Sequence, residues 1–109
     1  MVPKDYYKYE ADLLSDITSF LRNEMKLGRC YYERRQAVGF GYRKGLPDLW
    51  FAKHGKHYEV ELKKTKGERS TLQYHYERFF TLIECEYACI NSWQGFLDFY
   101  YKDDEKDQA

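Results

Sequence analysis

The sequence has no apolar run approaching the roughly 18 residues that a membrane-spanning helix requires, so we expect no membrane partner. It has few cysteines, and their number is odd: Cys30, Cys85 and Cys89. A secretory leader is not expected either, because Met1 is followed by polar and charged residues. Reduced thiols and a cytoplasmic location are the simplest interpretation of these features.

Internal repeats and linker-like stretches are also lacking. The 109 residues are close to the usual size of one compact domain, and the apolar fraction of 43% is enough for one modest core. A chain this short buries only a limited share of its surface, so a partner subunit would help its stability. We predict a single domain over residues 1–101 and an acidic, flexible tail over residues 102–109.

Charge of either sign is not in excess over the whole chain, which has 18 basic and 18 acidic residues. The acidic tail hides an asymmetry, because residues 1–101 contain 16 basic and 14 acidic residues. Much of this positive charge lies between Arg29 and Arg69. A basic central stretch beside an acidic tail suits a nucleic-acid-binding protein, although ordinary mixed surface charge explains it equally well.

Hydrophobic periodicity and turn residues predict the order helix, three strands, helix, strand, helix. The expected helices cover residues 9–27, 71–84 and 93–101, and the expected strands cover residues 29–35, 48–53, 56–64 and 86–91. Residues 36–46 contain three glycines and are predicted to form a loop. This order indicates an α/β fold of the α+β kind, with a mixed sheet flanked by helices.

The central hairpin carries the most informative pattern. If His54 and Gly55 form a two-residue turn, strand pairing places Asp48 directly opposite Glu61 on one face of the sheet. Their Cβ atoms would then lie about 4.5–5.5 Å apart. Two carboxylates at that distance repel each other unless something offsets their charge, and Mg²⁺ is commonly held by one or two carboxylates.

Three more polar residues are expected near this acidic pair. Lys63 shares the strand face of Glu61, from which it can orient or deprotonate a nucleophile. Glu10 begins the apolar stripe of the first helix and is therefore expected to point inward. Gln73 shares a helical face with several apolar residues and is also expected to face the interior.

Each residue has a purely structural interpretation as well. Asp48 follows a proline, as turn residues often do, and alternating charge such as that of Glu61 and Lys63 usually marks a solvated strand face. Glu10 suits the N-terminus of a helix through the helix dipole. Gln73 completes a capping box with Ser70. The joint arrangement is what favours a site, because structure alone hardly explains an acid opposite an acid with a lysine two positions on.

These residues resemble the signature of the PD-(D/E)XK nuclease superfamily. The matching segments are the G-x-P-D of Gly45–Asp48, the E-x-K of Glu61–Lys63, and Gln73 further along. The form of the first motif, together with Glu10 and the apolar residues that follow it, resembles the VRR-Nuc family in particular. The resemblance covers roughly residues 9–95. One departure is Lys64, where the family often has glycine.

The resemblance implies a restriction-endonuclease-like core and a nuclease that requires Mg²⁺ or Mn²⁺. Glu10, Asp48, Glu61 and the backbone carbonyl of Leu62 would be metal ligands. Asp48 and Glu61 would also count as catalytic residues, with Lys63 as the catalytic lysine and Gln73 as a supporting residue. Short standalone members, often from phages, resemble dimeric Holliday-junction resolvases. The implied substrate is therefore branched or four-way DNA, cut by a homodimer, in the host cytoplasm for a phage protein.

Basic residues around the motifs are candidates for contacts with DNA phosphates, which give affinity without reading sequence. They are Arg34, Arg35, Arg43, Lys44, Lys64, Lys66 and Arg69. Two other functions stay open. A nucleic-acid-binding module that kept the nuclease fold without catalysis would bind DNA and leave it intact. A small structural or regulatory protein with a tyrosine-rich surface would bind no metal.

Overall fold

The computed structural model describes residues 6–35 and 45–104. The helices in this part of the chain are α1 (Glu10–Lys26), α2 (Thr71–Leu82) and α3 (Trp93–Tyr100). The strands are β1 (Tyr31–Arg34), β2 (Leu49–Lys53), β3 (Lys56–Leu62) and β4 (Glu86–Ile90). The predicted order of elements along the chain is confirmed, and each predicted end lies within two residues of the observed one.

The strands form one mixed sheet in the order β1-β2-β3-β4. The first two pairings are antiparallel, whereas β4 runs parallel to β3 after the crossover through α2. The predicted hairpin register is confirmed from Lys53, paired with Lys56, to Leu49, paired with Val60. His54 and Gly55 have φ angles of 54° and 77°, as a tight hairpin turn requires of both central residues.

One face of the sheet holds the hydrophobic core. Alternate residues of β2 and β3 point to this face, and α1 and α3 pack across it. The core side chains are Tyr7, Leu13, Ile17, Leu21, Leu49, Phe51, Tyr58, Val60, Leu62, Ile90, Phe96, Phe99 and Tyr100. Many are aromatic, and Phe51 stacks on Tyr58 with ring centroids 4.7 Å apart. Helices on this face leave the polar residues of β3 on the opposite one.

Helix α2 packs beside β4 and contributes no buried residue to the described core. The prediction that its apolar face points to the interior is therefore only partly right. Ile83, just after the helix, is exposed, and so are several apolar residues of the helix: Leu72, Tyr74, Phe79 and Leu82. Across residues 6–35 and 45–104, no helix has the length and hydropathy to cross a bilayer.

The predicted start of a flexible tail at residue 102 is too early. Asp103 is buried and accepts a hydrogen bond of 2.7 Å from the Tyr58 hydroxyl. Asp104 forms an ion pair with the buried Lys53 at 2.9 Å. These acidic residues stay ordered because each meets a buried donor. Residues 105–109 lie outside the described part of the chain.

Candidate active site

Asp48 lies just before β2, where the ladder with β3 becomes irregular. Its backbone amide donates to the Val60 carbonyl at 2.9 Å, although Val60 is the ladder partner of Leu49. Two successive residues therefore face one residue of β3, which is the arrangement of a β-bulge. The prediction that Asp48 lies directly opposite Glu61 in the strand ladder is therefore wrong. The Asp48 side chain nevertheless reaches β3, where its Oδ2 accepts a hydrogen bond from the Leu62 amide at 2.7 Å.

Glu61 lies near the end of β3 and is only 1% exposed. Its Oε2 accepts a hydrogen bond of 2.6 Å from the side-chain amide of Gln73. The other carboxylate oxygen, Oε1, is buried without a hydrogen-bond partner among the described residues. Such an atom costs about 1–3 kcal/mol or more when it is charged. Either a proton shared with the Asp48 carboxyl group or a bound cation would satisfy this buried group.

The two carboxyl groups are close enough to perturb each other. Burial, followed by the charge of Asp48, raises the pKa of Glu61 to about 8. Burial also raises the pKa of Asp48, and the charge of Glu10 adds to this increase. The two acids thus share a site that disfavours their charged forms, as predicted for paired carboxylates that lack a counter-ion.

Lys63 and Glu10 lie at the edge of this site. Lys63 Nζ is 3.9 Å from Glu10 Oε1, and the lysine side chain is 16% exposed. The charge of Lys63 opposes the increase in the pKa of both Asp48 and Glu61. Glu10 is not inward as expected, because its side chain is 45% exposed. At the first residue of α1, it projects from the helix end toward Lys63.

Gln73 makes a capping contact and also contacts Glu61. Its backbone amide donates to Ser70 Oγ at 3.2 Å, and its Oε1 accepts from the Ser70 amide at 2.8 Å, which completes a capping box. Its Nε2 donates to Glu61. The cap fixes which end of the side-chain amide faces Ser70, so the donor end faces the carboxylate.

The described side chains offer hard oxygen ligands for a metal but no complete cage. Within residues 6–35 and 45–104, no three or more His, Cys, Asp and Glu side chains form a metal-binding group. Asp48 and Glu61 are brought together, whereas Glu10 faces Lys63 instead. Two carboxylates suffice for Mg²⁺, which usually keeps several waters and binds substrate phosphate oxygens as well. The Leu62 carbonyl remains a predicted ligand.

The seven predicted DNA-binding residues fall into three groups. Arg34, Lys64 and Lys66 are exposed, whereas Arg43 and Lys44 lie outside the described residues. Arg35 and Arg69 are partly exposed, and each is already paired with a carboxylate, so a DNA phosphate would have to compete with that pair and their assignment to DNA stays a prediction. Arg35 forms a two-bond ion pair with buried Glu59, and Arg69, only 14% exposed, forms a 2.8 Å ion pair with Glu77.

An open cavity of about 420 Å³ extends from Lys63 along α2 and β4. Its lining is Lys63, Gly67, Glu68, Arg69, Tyr74, Cys89 and Asn91. The Arg69 guanidinium lies 4.2 Å from the centre of the Tyr74 ring. Tyr74, Cys89 and Asn91 were not predicted as site residues. Cys89 pairs with Glu61 in the parallel ladder. Knowing the register between β3 and β4 would have identified it as a neighbour of the site, but the sequence pattern does not determine that register.

Comparison with known proteins gives no relative for this chain. No protein-family model matches the sequence, and no curated protein or solved structure matches it either.

Proposed function

We propose that this chain is a divalent-metal-dependent endonuclease that hydrolyses DNA phosphodiester bonds. The observation that carries the proposal is the buried Glu61, which has one carboxylate oxygen without a hydrogen-bond donor among the described residues and interacts with the Asp48 carboxyl group, with Lys63 at the edge of the site. A structural role alone does not account for a partly buried acid beside a fully buried one, because two neighbouring carboxylates destabilise each other when both are charged. The resemblance of these residues to the VRR-Nuc signature supports the same chemistry and a restriction-endonuclease-like fold.

The residues fit Mg²⁺ or Mn²⁺ because carboxylate oxygens are the ligands that these hard cations prefer. Asp48 and Glu61 would hold the ion. The Leu62 amide and Gln73 would orient the two carboxylates through their hydrogen bonds. A bound ion supplies Lewis-acid chemistry that makes water a better nucleophile and offsets negative charge on the phosphate.

Lys63 orients the attacking water or stabilises negative charge on the phosphate, because its ammonium group is the cation nearest to both acids in the described site. Glu10 lies 3.9 Å from that ammonium group and restrains it at the edge of the site. When substrate phosphate arrives, it competes with Glu10 for the lysine. Glu10 would be a further residue that holds the ion, the role that the resemblance assigns to it.

The exposed cations Arg34, Lys64 and Lys66 would contact DNA phosphates. Phosphate contacts carry no sequence information, so we propose structure-selective cutting, with branched or four-way DNA as the substrate. The exposed apolar side chains around α2, among them Phe79, Leu82 and Ile83, support a homodimer. A twofold dimer would present two active sites to two strands. Light scattering that shows a monomer at micromolar concentration would contradict the dimer.

The direct test is to incubate the protein with four-way junctions, flaps, single strands and linear duplex under matched ionic conditions. We expect cleavage with Mg²⁺ or Mn²⁺, strongest on branched DNA, and none with EDTA. Lys63→Ala should abolish cleavage and leave DNA binding largely intact. Lys26→Ala, which removes an exposed lysine at the far end of α1, is the matched control.

Metal-dependent cutting that survives in Lys63→Ala would refute the role of the lysine. Binding of branched DNA without cleavage under any of these conditions would instead favour the non-catalytic nucleic-acid-binding module.

A further inference from the structure

Arg35 holds the backbone on both sides of Asp48. Its own amide donates to the Asp48 carbonyl at 2.9 Å. Its side-chain Nη1 donates to the Pro47 carbonyl at 3.0 Å. These two carbonyls belong to the peptide groups before and after the Asp48 Cα. Fixing both peptide planes fixes φ and ψ of Asp48, and hence the direction in which its carboxylate leaves the bulge.

The guanidinium of Arg35 is itself held by two hydrogen bonds to the carboxylate of Glu59. Nη2 donates to Glu59 Oε2 at 2.9 Å, and Nη1 donates to Oε1. Glu59 is fully buried, and its Oε2 also contacts His57 Nε2. A planar guanidinium can make this pair of parallel bonds and still reach the Pro47 carbonyl. A lysine ammonium has no such fork.

We infer that Arg35 and Glu59 form a positioning pair that directs the Asp48 carboxylate toward Glu61. This inference rests on the proposed nuclease function and reassigns Arg35 from the DNA contact that its charge suggested. The Leu62 amide holds the tip of the Asp48 side chain, whereas Arg35 holds the backbone from which that side chain extends. Partners that orient a ligand without touching the metal typically contribute about 10–100-fold in metal affinity.

The test is the substitution Arg35→Lys, which keeps the charge and loses the fork. We expect Mn²⁺ binding, followed by calorimetric titration, to weaken by about 10-fold or more. We also expect a lower kcat at a fixed metal concentration and an unchanged KM for DNA. Metal affinity is a property of the free protein, so the titration does not depend on turnover. If Arg35 instead contacts phosphate, KM rises, the salt dependence of DNA binding falls, and Mn²⁺ affinity stays unchanged.

Arg29→Lys is the matched control. Arg29 also pairs with a buried carboxylate, that of Glu24, at 2.9 Å. It follows the C-terminal end of α1, a 17-residue helix about 25 Å long, and Glu10 lies at the opposite end. Any general cost of loosening an arginine–glutamate pair should be seen in both variants, whereas weaker Mn²⁺ binding should be seen only in Arg35→Lys.

A second variant guards against misfolding. Arg35→Met combined with Glu59→Gln removes both charges of the pair together, which usually preserves stability better than removing one. We expect it to fold and still bind Mn²⁺ at least 10-fold more weakly. Wild-type affinity in this variant or in Arg35→Lys would overturn the positioning pair alone. A wild-type protein that neither binds Mn²⁺ nor cuts DNA would overturn the proposed function itself.

Discussion

Gln73 donates its side-chain amide to Glu61 at 2.6 Å, from the first turn of a helix that it also caps. One side chain thereby connects the start of α2 with a buried carboxylate of β3. The capping contact and the site contact use opposite ends of the same amide group. A substitution can therefore keep one contact and remove the other, which allows the two contributions to be measured separately.

The first prediction uses this separation. Gln73→Glu keeps a residue suited to the capping box but replaces the donor near Glu61 with a third carboxylate. We expect its cleavage rate to fall by about 10-fold or more, the usual cost of losing a group that orients a ligand. Ser70→Ala removes the Ser70 hydroxyl from the cap and should cost about 1 kcal/mol of stability while cleavage continues. The measurements are single-turnover cleavage and urea unfolding of both variants.

Similar losses of cleavage in Gln73→Glu and Ser70→Ala would show that Gln73 acts only through the helix cap. The assignment of Gln73 to the site would then be wrong.

The second prediction concerns pH. Glu61 in the folded protein has a pKa of about 8, well above the value of about 4.3 expected in the unfolded chain. Between these values the folded state retains a proton that the unfolded state has lost. The metal-free protein therefore loses stability as pH rises from about 4.3 to about 8. Glu61→Gln has no such proton to lose. Its free energy of unfolding should therefore exceed that of the wild type by roughly 1–3 kcal/mol at pH 9, and the two proteins should differ little at pH 4.

Urea unfolding across this pH range checks the expectation, with Glu33→Gln as a surface control that should follow the wild type. Added Mn²⁺ should stabilise the wild type at pH 9 and have little effect on Glu61→Gln. Equal stabilisation of both proteins by Mn²⁺ would place the ion elsewhere.

Much of the site was predictable because its pattern is local. The two-residue alternation of β3 assigns Glu61 and Lys63 to one face, and a tight turn at residues 54 and 55 fixes the register across the hairpin. The capping box of α2 is equally local, since it depends only on Ser70 and Gln73. In each case the relevant interaction joins residues that lie close together along the chain.

The features that could not be predicted depend on contacts between residues that are far apart in the sequence. The bulge at Asp48 cannot be predicted from the hydrophobic pattern, because it lies just before β2 and does not alter the alternation of residues within that strand. The partner of Arg35 is Glu59, 24 positions further along the chain. A basic residue has the same letter whether it faces DNA or a carboxylate of the same chain, so the sequence did not show the carboxylate partners of Arg35 and Arg69. Asp103 likewise meets its partner Tyr58 only after folding.

The third prediction concerns the cavity beside Lys63. Cys89 lines it and is exposed as a residue. A bulky maleimide on its thiol would fill the path next to the site, so we expect cleavage to be lost as Cys89 is modified. Partial burial of the thiol raises its pKa above the usual value, so the reaction should accelerate as pH rises toward that raised pKa. Peptide mass spectrometry would follow each cysteine separately.

Cys30 and Cys85 are less exposed than Cys89 and serve as internal controls. Loss of activity should follow modification of Cys89 and should be slower when branched DNA is present with EDTA. Full modification of Cys89 by the maleimide with cleavage unchanged would contradict the placement of substrate in this cavity.

The fourth prediction concerns the contact between Tyr58 and Asp103, which fixes the chain after α3. The hydrogen bond from the Tyr58 hydroxyl is the main cause of the lowered pKa of Asp103. A lowered carboxyl pKa stabilises the folded state above the unfolded value of about 3.9 and loses this effect as pH falls through the folded value. Tyr58→Phe keeps the ring stacked on Phe51 and should cost about 1–3 kcal/mol at pH 7. The deficit should shrink below pH 3.

Tyr31→Phe provides the matched control, since the Tyr31 hydroxyl also donates to a carboxylate, that of Glu33, but on the exposed surface. Its stability should stay close to that of the wild type at either pH, because solvent replaces the lost bond. Urea unfolding at pH 7 and pH 2.5 measures both variants. A deficit in Tyr58→Phe that does not change between the two pH values would show that the hydroxyl acts through packing and has no influence on the ionisation of Asp103.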